Sequence, residues 1–120
     1  KPNLPDIPGL EAAGVVDAVG PGVSGLQPGM RVTAIGVKTY AEYCTVSAAQ
    51  VMLLPDHVNY EEGAAFPIQT LTAYHMLHTA HQTTSGQTVV VHSAAGGTAR
   101  SSSGISPSSE KVVKQSSPSP

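Results

Sequence analysis

A run of apolar residues that ends in paired glycines is the part of this sequence best suited to chemistry. Residues 88–97 read TVVVHSAAGG, so a predicted strand leads into the small residues Ala95, Gly96 and Gly97. Such a turn brings bare backbone N–H groups close to a phosphate. A dinucleotide fingerprint also needs a third small residue followed by a helix, so the spacing here is incomplete. The following TARSSSGISPSS does not predict a helix, so we expect only the front half of a nucleotide-binding unit.

Histidines suggest a second kind of chemistry. His75, His78 and His81 fall at i, i+3 and i+6, so a metal site on one helix face is conceivable. Such a site seldom forms without a carboxylate or a second element, and a partly exposed helical surface is the favoured interpretation. We therefore predict no metal site. His92, at the end of the predicted strand, is interpreted as a buried, hydrogen-bonded imidazole rather than a catalytic base.

Cys44 and Glu11 are the remaining reactive candidates. Cys44 is the single cysteine, which excludes an internal disulfide and a cysteine cluster for zinc. It lies in a predicted strand without a cation nearby in sequence, so we interpret it as a small buried hydrophobe. Glu11 fits a catalytic role or a structural hydrogen-bonding role, and the sequence leaves both open.

Composition limits the class of protein. The chain has 120 residues, a formal net charge of −2 and 4% aromatic residues, which provides neither a basic stripe nor stacking platforms for nucleic acid. No apolar run approaches the roughly 20 residues that span a bilayer. The first residues, KPNLPDIPG, lack the apolar core of a signal peptide. A single cysteine is typical of a reducing compartment, so we expect a cytoplasmic protein without nucleic-acid or membrane partners.

Short predicted strands fill the first half of the chain. They cover residues 10–19, a run from Met30, residues 39–46 and residues 51–54, with glycine and proline between them. This spacing is typical of a small barrel or sandwich.

The pattern changes after Pro55. Asn59 and Glu62 have the spacing of a capping box, which predicts a helix start, and Pro67 interrupts that helix. Beyond it, one helix face is predicted from the three- and four-residue spacing of Ile68, Leu71, Thr72, His75 and His78. From Arg100 onward, nine of 21 residues are serine, so we expect residues 100–120 to be disordered.

In this order the motifs resemble the medium-chain dehydrogenase/reductase family, and specifically its zinc-independent quinone oxidoreductase branch, which includes zeta-crystallin. The matching stretches are IPGLEAAGVVDAVGPGV (7–23), PGMRV (28–32), LPDHVNYEEGAAFP (54–67), LTAYHML (71–77) and VVVHSAAGG (89–97). The resemblance implies a mainly β chain. It would place a partial GroES-like catalytic barrel at residues 1–58. A linking helix and the first strand of a Rossmann α/β cofactor domain would follow at residues 59–99.

The resemblance also implies a reaction and its residues. Zinc-dependent relatives carry a histidine where this chain has Leu10, and leucine offers no lone pair to a metal. The implied reaction is hydride transfer from NADPH to a quinone or conjugated carbonyl. Thr72 would contact the nicotinamide end of the cofactor, and Ala95, Gly96 and Gly97 would line its pyrophosphate.

Compared with that family, the sequence starts late and loses its pattern after Ala99. We therefore expect a member truncated at both ends, with weak or no activity alone. The alternative is a non-enzymatic interaction or structural module that pairs through an exposed sheet edge. A homo-oligomer is left open.

Overall fold

Short strands and helices follow one another along the chain. A computed structural model describes residues 4–93, 95–105 and 111–114. The chain divides into two compact units, Lys1–Ile68 and Gln69–Pro120. The elements are β1 (Glu11–Val15), β2 (Arg31–Ile35), β3 (Val51–Leu53), α1 (Tyr60–Ala65), α2 (Pro67–Tyr74), a π-helical turn (His75–Ala80), β4 (Thr88–Val91), α3 (Gly97–Ile105) and β5 (Lys111–Lys114).

The first unit contains an antiparallel sheet in the order β1–β2–β3. β1 and β2 pair in register from Glu11 opposite Ile35 to Val15 opposite Arg31. β3 pairs with the other side of β2, and a short 3-10 turn, Ala48–Gln50, leads into it. This three-stranded antiparallel sheet agrees with the GroES-like expectation for this half of the chain.

The core of the first unit lies where α1 meets the sheet. Ala34 and Leu54 are buried. An added Cβ on Gly63 would lie 2.8 Å from Leu54 Cδ1 and 3.1 Å from the Ala13 Cβ. The Thr33 hydroxyl, in a residue only 4% exposed, donates to the Gly63 carbonyl oxygen over 2.7 Å. Glycine at 63 therefore allows the helix backbone to approach the strands directly.

Helix α1 begins at the predicted capping box. The Asn59 side-chain oxygen accepts from the Glu62 amide at 2.7 Å, and the Glu62 carboxylate accepts from the Asn59 amide at 3.4 Å. The helix ends at Ala65, and Pro67 opens α2, because proline at a first helical position gives up no intrahelical hydrogen bond. The predicted helix start and its interruption are both confirmed.

Arg31 fixes the segment that leads into α1. Its guanidinium donates to the carbonyl oxygens of Asp56 at 2.9 Å and Val58 at 2.5 Å. The same group lies 4.7 Å from the centre of the Tyr60 ring, a cation–π distance. One side chain from β2 thus organises the chain before the helix.

The buried side of α2 and the following π-helical turn differs from the predicted face. Ala73 is fully buried and Leu77 is 6% exposed, four residues apart. Leu71, Thr72 and His75, all on the predicted face, are exposed. Apolar residues at three- and four-residue spacing occur on both sides of this helix, so the spacing alone does not decide which side is buried. The buried side is the one that carries the small Ala73.

The second unit places a helix between two parallel strands. β4 pairs with β5 from Thr88 opposite Lys111 to Val91 opposite Lys114. Helix α3, Gly97–Ile105, lies between them in sequence, as parallel pairing requires a crossover connection. The prediction that no helix follows Gly97 is wrong.

Local contacts explain why a serine-rich segment is helical. The Ser102 hydroxyl donates to the Thr98 carbonyl oxygen at 2.9 Å, so this polar side chain has a hydrogen-bond acceptor within its own helix. The Ser101 hydroxyl lies 3.3 Å from the Thr70 hydroxyl of α2. The amino-acid composition of this segment does not predict these contacts. Of the tail predicted to be disordered, residues 106–110 and 115–120 lie outside the described residues.

The expectation of a mainly β chain needs correction, because the described chain is a mixed α/β structure. Residues 39–46 form bends and irregular backbone rather than the predicted strand. Lys38 has a φ of 62°, the Tyr40 amide donates to the Pro8 carbonyl oxygen at 3.0 Å, and the Thr39 hydroxyl donates to the Glu11 carbonyl oxygen at 2.8 Å. These bonds direct the backbone away from a ladder.

None of the described helices combines the length and the apolar character needed to cross a membrane.

Candidate functional site

The glycine turn predicted from the sequence lies between β4 and α3. β4 ends at Val91, and Ser93 then adopts a positive φ of 54°. The Gly96 amide donates back to the Ser93 carbonyl oxygen at 2.8 Å, which closes the turn. The Arg100 amide donates to the Gly96 carbonyl oxygen at 3.0 Å, which begins the helical hydrogen bonds of α3. The backbone therefore passes from the strand into a helix within a few residues.

This geometry produces a helix N-terminus suited to an anion. The first-turn amides of an α-helix have no intrahelical acceptor, and here they belong to Gly97, Thr98 and Ala99. The helix dipole adds a partial positive charge at the same end. Ala95 and Gly96 are exposed, and among the described residues the contact of an added Cβ on Gly96 is the Ser93 carbonyl oxygen, at 3.3 Å. A phosphate group fits the chemistry of this terminus.

Helix α2 reaches the glycine turn through a residue that sequence reasoning missed. The Gln69 carboxamide occupies the space in which a side chain on Gly97 would begin, and its Nε2 lies 2.9 Å from that ideal Cβ position. Nothing in the sequence signals this contact, because the two residues lie 28 positions apart in the chain.

The predicted site residues thus fall into two groups in the second unit. Ala95, Gly96 and Gly97 lie together in the turn. Thr72 lies exposed on α2, three residues after Gln69, which contacts Gly97. Their roles toward a cofactor stay predictions.

The first unit carries a small open cleft lined in part by Leu10. Its volume is about 310 Å³, and its lining residues are Leu10, Ile35, Gly36, Val37, Thr45, Val46, Ser47, Gln50 and Ile68. Leu10 is 59% exposed. Because the lining is largely aliphatic and Leu10 carries no donor atom, the cleft suits an apolar organic molecule better than a metal ion.

Glu11 has a structural hydrogen bond to the start of α2. Its carboxylate Oε2 accepts from the Ile68 amide at 3.0 Å, in the first turn of α2. The adjacent Pro67 is fully buried. Of the two roles that the sequence left open, the geometry provides direct evidence for the structural one.

Two interpretations of single residues are corrected. Cys44 is exposed rather than buried, because residues 39–46 do not join the sheet. His92 is exposed as well, since it follows the buried end of β4 and begins the turn.

The histidines after α2 are not gathered into a metal site. Within residues 4–93, 95–105 and 111–114, no group of three or more His, Cys, Asp or Glu side chains is placed to hold a metal ion. His78 instead stacks on Tyr74 with ring centres 4.6 Å apart. Such a contact between residues i and i+4 is common on the surface of a helix.

Comparison with known proteins places this architecture. Residues 1–56 match the alcohol dehydrogenase GroES-like domain. The chain is 42% identical over 89 residues to the highly reducing polyketide synthase phiA of a fungal species, covering 74% of this chain and 4% of that protein. It is 38% identical over 99 residues to the quinone oxidoreductase of Lama guanicoe, covering 81% of this chain and 30% of the relative.

Solved structures extend the match beyond the first domain. The CurK enoyl reductase superposes with a TM-score of 0.87 at 29% identity, over 93% of this chain and 35% of that one. Human synaptic vesicle membrane protein VAT-1 homolog-like protein gives a TM-score of 0.85 at 34% identity, over 94% and 37%. The chain belongs to the medium-chain dehydrogenase/reductase family.

A further similar structure contains a cofactor. A mycobacterial protein in complex with NADPH superposes with a TM-score of 0.81 at 32% identity, over 94% of this chain and 36% of that one. The present medium-chain dehydrogenase/reductase chain thus spans 4% to 37% of the proteins named here.

Proposed function

We propose that this chain is part of an NADPH-dependent oxidoreductase that transfers hydride to a quinone or conjugated carbonyl without zinc. The observation that carries the proposal is the turn of Ala95, Gly96 and Gly97 at the N-terminus of α3, between two parallel strands. In a Rossmann-type unit this is the position of the cofactor pyrophosphate. The relative solved with NADPH supports the choice of cofactor.

The residues of the turn fit the phosphate end of such a cofactor. Backbone amides at the start of α3 donate to an anion without a change in protonation, and the exposed Gly96 leaves room for its approach. Thr72, exposed on α2, is the proposed contact for the nicotinamide end. The bound cofactor supplies the hydride, while the chain binds and orients it.

The aliphatic cleft at Leu10 supports an apolar acceptor. A quinone or an enone presents a flat carbon skeleton that aliphatic side chains bind by excluding water. The similarity to a quinone oxidoreductase and to an enoyl reductase supports this class of acceptor. Leucine at position 10 supports a reaction without metal, since the side chains that line the cleft include no histidine, cysteine or carboxylate to hold a Lewis-acidic metal ion.

Titration with NADPH tests the proposal. Binding to the 120-residue chain is followed by the change in nicotinamide fluorescence, and turnover by the loss of NADPH absorbance with a soluble quinone. The variant Ala95→Asp brings a carboxylate to the turn, and we expect at least about tenfold weaker binding from like-charge repulsion. Ala41→Asp, at an exposed position of the first unit, is the matched control and should bind as the parent does. Equal affinities of the two variants would contradict the proposal.

A second candidate function follows from the edges of the first sheet. In the described sheet, β1 and β3 each pair with β2 alone, so each has one open edge. Val15 and Leu53 on these strands are 54% and 62% exposed. An interaction module that pairs through such an edge would form homo-oligomers or bind another chain. Concentration-dependent self-association without any NADPH binding would favour this candidate over the enzyme.

A further inference from the structure

Gly97 differs from a glycine that is needed for its backbone conformation. It is the first residue of α3, and its φ is not among the positive values found at the turn glycines, such as the 90° of Gly29. Any residue can adopt the conformation of a first helical turn, so the backbone alone does not require glycine at position 97.

The neighbouring helix supplies the requirement. The Gln69 carboxamide fills the space that a Cβ on Gly97 would occupy, with Nε2 2.9 Å from the ideal Cβ position and the carboxamide oxygen closer still. Gln69 is half-buried, and the next residue, Thr70, lies with its hydroxyl 3.3 Å from that of Ser101. These two contacts bring α2 against the N-terminal half of α3.

We propose that Gln69 is a further specificity-determining residue of the proposed dinucleotide site. Its uncharged carboxamide fills the side-chain space that Gly97 leaves open at the N-terminus of α3, and it keeps that terminus free of negative charge. The inference rests on the proposed function, and it assigns to α2 a part in selecting an anionic cofactor.

The charge of the residue at position 69 is the critical property. A carboxylate of the same shape would lie beside the same helix N-terminus, where it interacts favourably with the helix dipole. The carboxylate would therefore interact with the same partial positive charge as a cofactor phosphate, and it would repel that phosphate. Cofactor binding should weaken while the stability of the fold is unchanged or higher, a combination that a residue with a purely structural role would not produce.

The test compares Gln69→Glu, Gln69→Met and Gln27→Glu in the full chain. The first keeps the shape and adds charge, the second keeps the length without charge, and the third adds the same charge at an exposed residue of the first unit. For Gln69→Glu we expect NADPH affinity to fall by about tenfold or more, with no decrease of the thermal unfolding midpoint. Gln69→Met and Gln27→Glu should bind NADPH within about threefold of the parent, since neither brings charge to the site.

The outcomes separate the inference from the proposed function. If the unaltered chain binds NADPH and Gln69→Glu binds it equally well, the inference is wrong while the proposed function stands. The inference is also wrong if Gln69→Met loses as much affinity as Gln69→Glu, because shape rather than charge would then decide. If the unaltered chain does not bind NADPH, the proposed function fails and the inference fails with it.

Discussion

Removing the Glu11 carboxylate tests whether this acid is structural. Its Oε2 accepts from the Ile68 amide at 3.0 Å in a partly buried position, at the first turn of α2. A hydrogen bond to a charged group contributes about 1.5–3 kcal/mol, and its loss leaves an amide without a partner. We therefore expect Glu11→Ala to lower the free energy of unfolding by about 1.5–3 kcal/mol.

The isosteric variant separates charge from hydrogen bonding. Glu11→Gln keeps a side-chain oxygen as the acceptor and loses only the interaction of the charge with the helix N-terminus. We expect it to lower the free energy of unfolding by about 0.3–1 kcal/mol. The geometry therefore predicts that Glu11→Ala is less stable than Glu11→Gln.

Urea denaturation of the 120-residue chain, followed by circular dichroism, measures both variants. The matched control is Glu42, an exposed acid of the same unit, whose alanine variant should stay within about 0.5 kcal/mol of the parent. A Glu11→Ala chain as stable as Glu42→Ala would refute the structural role. Loss of quinone turnover in Glu11→Gln at unchanged stability and NADPH affinity would instead indicate a catalytic one.

Two further substitutions probe the packing of α1. Thr33→Val removes the hydroxyl that donates to the Gly63 carbonyl oxygen over 2.7 Å, and urea denaturation should show a loss of about 1–3 kcal/mol, whereas the exposed Thr45→Val should leave stability unchanged. Asn59→Ala removes the helix cap and should cost about 0.5–2 kcal/mol, whereas Asn59→Asp should retain most of it; equal losses for the two would contradict the observed cap.

Local signals in the sequence are sufficient for several elements. Asn59 and Glu62 lie close enough in sequence for their reciprocal hydrogen bonds to be predicted from spacing, and Pro67 marks a helix boundary by its missing amide hydrogen. The β-branched run of β4 likewise predicts a strand before the glycine turn. Each of these features depends on neighbours within a few residues.

Contacts between distant residues explain what the sequence does not reveal. Helix α3 has a poor helical composition, and it packs through Ser101 against Thr70 and through Gly97 against Gln69. Propensity is a weak guide where tertiary contacts decide the outcome. The predicted strand over residues 39–46 is wrong for the same reason, because the Thr39 hydroxyl bonds to the backbone of β1.

Amide chemical shifts of the isotope-labelled chain, recorded during NADPH titration, test the central claim most directly. If the turn before α3 binds the cofactor phosphates, the largest changes should fall on the amides of Ala95, Gly96, Gly97 and Thr98, with a smaller group around Thr72. Saturating NADPH that leaves these amides unchanged, or that shifts only amides of the first unit, would contradict the account.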